Sequence, residues 1–118
     1  MNTKEIEIAI EDPMGAYSGI QIYGEHVDLK PERDRILITG RMRSTSEKLA
    51  AALHLEPEIT ADILNPLDEV VLSSTGTHIG AFWATRSAPF ELEMERVSER
   101  VPWKEIKTIK IRVCFMEK

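Results

Sequence analysis

The chain has 118 residues, of which 42% are hydrophobic and 30% charged, and its formal net charge at pH 7 is −5. These values are typical of one globular domain, residues 1–118, which can bury a core without metal or disulfide support. An acidic chain lacks the positive field that general binding to nucleic acid or to an anionic membrane requires. The single cysteine excludes an internal disulfide. The first residues contain no apolar leader, so we expect a cytoplasmic protein.

The two ends of the sequence predict neighbouring strands of one sheet. Isoleucines alternate with glutamates in segment 4–11, and apolar residues alternate with Lys110 and Arg112 in segment 108–115. A period of two turns the apolar side chains to one face and brings acid opposite base on the other. Segment 90–95 repeats the acidic pattern. We therefore expect the basic C-terminal strand to lie between two acidic strands.

The first third of the chain predicts a meander of strands. Residues 12–15 form a turn after the first strand, because they contain proline and glycine. A second strand follows at 20–26, which Gly24 bends or bulges. A charged turn at 30–34 leads to a third strand at 35–42, whose continuous apolar run is typical of a strand buried on both faces.

Segment 44–64 carries the helical signal. Ser44 and Glu47 have the spacing of a capping box, and leucine and alanine follow at helical intervals. Pro57 suits the first position of a second helix, and an Asn-Pro pair ends it. The sequence therefore predicts a helix-turn-helix pair, at about 44–64.

Together with the hairpin expected around Gly76, this pair resembles the winged-helix family of DNA-binding proteins. Positions that are apolar or small in that family are occupied by Leu49, Ala50, Leu53, Leu55 and Ile63. The resemblance implies nucleic-acid binding through the second helix. The sequence departs from the family at His54, where the turn usually has glycine, and at Thr60, where it has an apolar residue. Segment 58–62 also contains no lysine or arginine to contact phosphates or bases.

The second half of the chain returns to strand patterns. Two strands, 69–74 and 78–86, flank a turn that contains Gly76. Residues 87–89 break the chain before the acidic strand. Segment 101–106 contains a proline that cannot donate to a central strand, so it is predicted to form a short turn or a single helical turn.

These elements predict an α+β fold. A bent antiparallel sheet, or a partly closed β-barrel of six to seven strands, would carry the helix-turn-helix pair on one face. The isoleucines of the terminal strands would lie in its core. If the sheet does not close, an exposed edge strand would favour a homodimer.

No pattern in the sequence defines a catalytic or metal site. His26, His54 and His78 have no local spacing typical of metal ligands. Cys114 lies in a predicted strand with no nearby histidine, and no glycine-rich loop is followed by the lysine of a phosphate-binding loop. We therefore assign no catalytic residue, no metal and no cofactor.

Two glycine-bounded loops, 15–19 and 76–80, favour a binding function, because aromatic residues near such loops dominate many binding surfaces. The predicted ligand-binding residues are Tyr17, Tyr23, His78 and Trp83. The leading hypothesis is a small non-enzymatic binding or accessory protein that holds a protein or a small molecule on a sheet face or on these loops. The alternatives are a winged-helix-like nucleic-acid-binding protein and a small enzyme with a histidine and carboxylate site.

Overall fold

The computed structural model describes residues 6–45, 55–78 and 86–117, and this part of the chain is nearly all β-structure. Its seven strands are β1 (Glu7–Ile10), β2 (Ile20–Lys30), β3 (Arg35–Ser44), β4 (Leu55–Leu64), β5 (Val70–His78), β6 (Ser87–Met94) and β7 (Thr108–Glu117). Short 3₁₀ helices span Pro31–Arg33, Val97–Glu99 and Trp103–Glu105. No helix in these ranges reaches seven residues.

The strands follow the hydrogen-bonded order β1-β7-β4-β5-β6-β3-β2. β1 runs parallel to β7, and the other neighbours are antiparallel. Among the described residues, β5 and β6 share two residue pairs, Thr77 with Glu91 and His78 with Phe90, whereas β4 and β7 share ten. The strands therefore divide into two layers, β1-β7-β4-β5 and β6-β3-β2, which meet at one corner.

Both layers contribute to one hydrophobic core. Alternate residues of the strands turn inward, as a period of two requires. The most deeply buried include Ile36 and Ile38 of β3, Ile59 and Ile63 of β4, Phe90 and Leu92 of β6, and Ile109 and Ile111 of β7. The 3₁₀ segments add Val97 and Trp103 to the same cluster. Trp103 therefore closes one side of the core, and the predicted helical turn that carries it is confirmed.

The predicted neighbourhood of the chain ends is confirmed. Ile8 lies beside Ile109 in the parallel β1–β7 pair, and Lys110 Nζ lies 3.8 Å from Glu11 Oε1 on the outer face. The expectation that the acidic segment 90–95 lies on the other side of β7 is wrong, because β4 lies there. The acidic β6 lies beside β3, where Glu93 Oε2 is 2.6 Å from Arg35 Nη2.

The predicted α+β fold is wrong, because residues 55–64 form strand β4 and not a helix. Ile59, Ala61 and Ile63 are all fully buried, so the apolar period here is two. Branched side chains on this period favour a strand over a helix. The winged-helix interpretation is overturned with the helix pair, since the proposed recognition helix is a strand between β7 and β5. The first predicted helix falls on residues 46–54, which lie outside the described residues.

The predicted turn around Gly76 is also wrong. β5 continues through this position to His78. A Cβ at Gly76 would collide with the carbonyl oxygen of Glu91 and lie 2.6 Å from Leu92 Cβ. The glycine therefore allows β5 to approach β6 at the corner. The partner strand expected at 78–86 lies almost entirely outside the described residues, and the break expected at 87–89 is instead the start of β6.

The bulge predicted in the second strand is confirmed. The register between β2 and β3 shifts between Tyr23 and His26, and Gly24 has a φ of +60°. A left-handed conformation in a strand favours glycine. The bulge divides β2 into a first half beside the end of β3 and a second half beside its start.

Asp34 ties the turn between β2 and β3 to the segment that carries Trp103. Its carboxylate accepts hydrogen bonds from Ser98 Oγ at 2.7 Å, from Ser98 N at 2.8 Å and from Trp103 Nε1 at 2.9 Å. The bonds from Ser98 and Trp103 hold the pKa of Asp34 below its usual value. Since Asp34 also has a φ of +56°, the position favours aspartate or asparagine.

Replacing Asp34 with alanine should lower the melting temperature more than replacing it with asparagine, which keeps an acceptor oxygen and tolerates the left-handed backbone. Because the folded-state pKa of Asp34 is lowered, its carboxylate stabilises the fold above the unfolded pKa of about 4 and loses that effect as the pH falls below it. The stability difference between the wild type and Asp34→Asn should therefore shrink in acid. Thermal unfolding between pH 3 and 7, the range spanning that pKa, measures this difference, and one that does not change with pH would contradict the assignment.

Candidate functional site

A surface cleft of about 760 Å³ lies where β1 ends and the chain turns toward β2. One wall is the loop 11–18, and the other is formed by Arg112 and Val113 of β7. β1 pairs with β7 only as far as Ile111. Beyond that residue, no described strand lies beside β7 on this side. The cleft therefore occupies the place next to β7 where a longer β1 would lie.

The carboxylate of Asp12 organises the loop. It accepts hydrogen bonds from the backbone N–H of Ser18 at 2.7 Å and of Tyr17 at 3.1 Å. The bond from Ser18 is the main reason that the pKa of Asp12 lies below its usual value. The Ser18 hydroxyl in turn donates to the carbonyl of Ile20 at 3.0 Å. An ionised side chain inside the loop thus satisfies the N–H groups at its tip.

Two glycines let the loop close on itself. Gly15 and Gly19 have φ values of +70° and +77°, and a Cβ on Gly15 would lie 2.8 Å from the carbonyl carbon of Ile20. Thr45, just after β3, donates its N–H to the carbonyl of Gly19 at 2.8 Å and its hydroxyl to the carbonyl of Gly15 at 3.1 Å. The loop backbone is therefore fixed both internally and against the sheet.

The fixed loop presents two large apolar side chains to solvent. Tyr17 is 95% exposed and Met14 is 69% exposed, and both line the cleft. Exposed apolar groups that are held together at a concave surface are typical of binding sites rather than of the ordinary surface. Because the loop backbone is already ordered in the free protein, binding would cause little further loss of backbone conformational entropy.

The arginine in the β7 wall of the cleft is paired with a carboxylate. Arg112 Nε donates to Asp62 Oδ2 at 2.9 Å, and Ser73 Oγ donates to Asp62 Oδ1 at 2.5 Å. Burial by itself raises the pKa of Asp62, but the bonds from Arg112 and Ser73 outweigh it and lower the pKa. The arginine is therefore engaged within the sheet, and the cleft offers a mainly apolar surface to a ligand.

The structure brings only one of the predicted binding residues to this cleft. Tyr17 lines it, whereas Tyr23 lies on the outer face of β2 and hydrogen-bonds there with Arg41 and Ser87. His78 ends β5, but its side chain is outside the described part of the chain, as is the whole of Trp83. Tyr17 and Tyr23 therefore lie on different surfaces.

Sequence reasoning missed Met14, Arg112 and Val113 as cleft residues. An apolar residue between Pro13 and Gly15 in a turn was a usable signal for Met14, because such a position is seldom buried. No local signal identified the β7 residues. Their place in the cleft depends on where the parallel pairing with β1 stops.

Comparison with protein-family models, with curated proteins and with solved structures finds no match to this chain. Within residues 6–45, 55–78 and 86–117, no group of three or more histidine, cysteine, aspartate or glutamate side chains is arranged to hold a metal ion. The same ranges contain no helix of the length and apolarity needed to cross a membrane. The cleft is therefore interpreted from its own geometry.

Proposed function

We propose that this protein is a non-enzymatic binding protein that holds an extended segment of a partner protein in the cleft between the loop 11–18 and β7. The observation that carries the proposal is the exposure of Tyr17, 95%, on a loop whose backbone is fixed. Tyrosine provides a large amphipathic contact with little conformational entropy to lose, and it is enriched among residues that dominate binding energy. A rigid loop adds to this advantage, because less freedom is lost on association.

The open side of β7 supports an extended segment as the ligand. The N–H of Glu11 donates to the carbonyl of Ile111, and the N–H of Glu7 donates to the carbonyl of Lys107. Backbone groups of alternate residues point to the same neighbour, so those of Val113 point to the side that β1 has left. Val113 also lines the cleft. A strand with free backbone groups is a template for the addition of another strand.

The composition of the cleft favours an apolar segment. Met14, Tyr17 and Val113 supply apolar contact, while Arg112 is engaged by Asp62. A charged partner segment would gain little there, because the charge of Arg112 is already balanced by the carboxylate of Asp62. We therefore expect strand-forming, apolar residues at the positions that enter the cleft.

Replacing Tyr17 with serine should weaken peptide binding at least about tenfold without lowering stability, because the side chain is exposed and serves as a binding anchor. The probe is a set of decapeptides selected from a random display library against the intact protein, and fluorescence polarisation measures their affinities. Leu67→Ser is the matched control, since Leu67 is 77% exposed on the turn after β4. Hydrogen exchange should show slower exchange of the Val113 amide when a selected peptide is bound.

The proposal would be wrong if the selected peptides bound Tyr17→Ser as tightly as the wild type. It would also be wrong if Leu67→Ser weakened them equally, or if no peptide were selected. Melting temperatures of both variants separate loss of binding from loss of folding.

A further inference from the structure

A second surface, on the other layer of the fold, holds two arginines that form no ion pair with a described carboxylate. Arg41 and Arg43 are two residues apart on β3, so their side chains share the outer face. The register places Arg41 beside Tyr23 and Arg43 beside Gln21 on β2. Both arginines are exposed. We call this group, Gln21, Tyr23, Arg41 and Arg43, the arginine face.

Neutral neighbours fix both guanidinium groups. Arg43 Nε donates to Gln21 Oε1 at 2.7 Å, and its guanidinium carbon lies 5.0 Å from the centre of the Tyr23 ring. Arg41 Nε donates to the Tyr23 hydroxyl at 3.3 Å. No described residue accepts a hydrogen bond from the terminal nitrogens of either arginine. Each arginine is therefore oriented by its Nε, while its two Nη groups are available to a ligand.

This arrangement differs from that of the other arginines in the strands. Arg35 pairs with Glu93, with 2.6 Å between Nη2 and Oε2, and Arg112 pairs with Asp62. The chain contains 20 acidic residues against 15 basic ones, so carboxylates are abundant. Two adjacent arginines that are positioned without one make a local positive patch on an acidic protein.

We propose that the arginine face binds an acidic segment of a partner protein, with one carboxylate on each of Arg41 and Arg43. Guanidinium groups with free Nη pairs match carboxylates in a bidentate geometry. In an extended ligand, alternate side chains repeat about every 7 Å, which is also the spacing of two alternate residues on β3. The segment therefore carries acidic residues at alternate positions.

Single-stranded nucleic acid fits the surface less well. Bases bind such surfaces by stacking on aromatic rings, but the guanidinium of Arg43 already lies over the ring of Tyr23. The net charge of −5 also opposes a long polyanion. The proposal uses none of the cleft residues, so it stands apart from the function proposed for the cleft.

The test uses a fluorescein-labelled octapeptide in which glutamate alternates with threonine, and the same peptide with glutamine for glutamate. The glutamate peptide should bind the wild type, and the glutamine peptide should not. Arg41→Gln with Arg43→Gln should weaken binding at least about tenfold, since two charge-assisted contacts are lost. The matched control is Arg33→Gln with Arg100→Gln, which removes the same charge at two exposed positions and should change the affinity by less than about twofold.

Two further measurements separate bidentate binding from simple charge attraction and separate this surface from the cleft. Arg43→Lys keeps the charge but removes the bidentate contact, so its affinity should lie between those of the wild type and the double variant. Tyr17→Ser should bind the glutamate peptide like the wild type, which distinguishes this surface from the cleft. Equal weakening by the control pair, absence of binding at low salt, or tighter binding of an oligothymidine that depends on the same arginines would each overturn the proposal.

Discussion

Replacing Phe90 with alanine should lower the free energy of unfolding by about 3 to 5 kcal/mol. Phe90 is only 2% exposed and belongs to β6, the strand that joins the two layers at their corner. Removing its ring leaves a cavity that both layers would have to close, and two sheets held by their own hydrogen bonds collapse poorly around a void. Urea unfolding of the wild type and the variant measures the loss.

Gly40 provides a control that is specific to the ring. A Cβ at Gly40 would lie 2.8 Å from two ring atoms of Phe90, so Gly40→Ala should cost about 1 to 3 kcal/mol by overpacking. In the Phe90→Ala background most of this cost should disappear, because the added methyl enters the space that the ring has left and keeps only its 3.1 Å contact with the Cα of Glu25. Strictly additive losses would show that the two positions do not touch.

Replacing Gly76 with alanine should destabilise the protein by about 3 kcal/mol, the upper end of the usual overpacking cost. The new methyl would lie 2.6 Å from the Cβ and 2.8 Å from the Cα of Leu92, and would collide with the carbonyl of Glu91. Two of these three atoms are backbone, which cannot move away by changing a rotamer. Relief would require β5 and β6 to separate next to their described residue pairs, Thr77 with Glu91 and His78 with Phe90.

Gly24→Ala is the matched glycine control. Gly24 has a φ of +60°, but no described atom lies within 4 Å of a Cβ placed there. Its cost should be only that of a left-handed alanine, about 1 kcal/mol. Calorimetry measures the loss of stability in each variant. The loss in Gly76→Ala reports the steric conflict, and the loss in Gly24→Ala reports the cost of the left-handed backbone. If Gly24→Ala were as destabilising as Gly76→Ala, the corner between the layers would not be the sensitive position.

Strand patterns with a clear period of two were predictable from the sequence. The alternation in the two terminal segments indicated neighbouring strands, and β1 and β7 do pair. The expectation that the isoleucines of both strands lie in the core is wrong for β1, where Ile8 is 40% exposed and Ile10 is only partly buried. The direction of the pair and the identity of the second neighbour of β7 were not predictable in this way, because alternation is the same for parallel and antiparallel partners. The presence of acidic residues in one strand and basic residues in another is also a weak guide to which strands are neighbours, since Arg112 pairs with Asp62 on β4.

The main error lies in the second predicted helix, where residues 55–64 form a strand and local propensity and tertiary pairing disagree. A capping-box spacing and an alanine-rich run favour a helix locally, and that interpretation was extended through Pro57. In β4 the alternating burial of Ile59 and Ile63 follows the sheet instead. A central strand can also bury polar residues on its outer face, as Thr60 and Asp62 are here, so the strand lacks the simple apolar and polar alternation that would have revealed it.

The candidate site was predictable only in part. Glycines at both ends of the loop 15–19 and an aromatic residue between them pointed to Tyr17. The other wall of the cleft required knowledge of where β1 stops. The arginine face required the register of β2 against β3, since Tyr23 and Arg41 are 18 positions apart in the chain. Pairing between distant strands is information that local patterns do not contain.

The parallel pairing of β1 with β7 has a mechanical consequence. Because the two strands are parallel, the start of β1 and the end of β7 lie at opposite ends of the pair. A force that pulls these two points apart would load the hydrogen bonds between the strands in shear, all at once, rather than opening them one after another. Tethered through these two strands, the protein would resist extension more strongly than an antiparallel terminal pair of the same length.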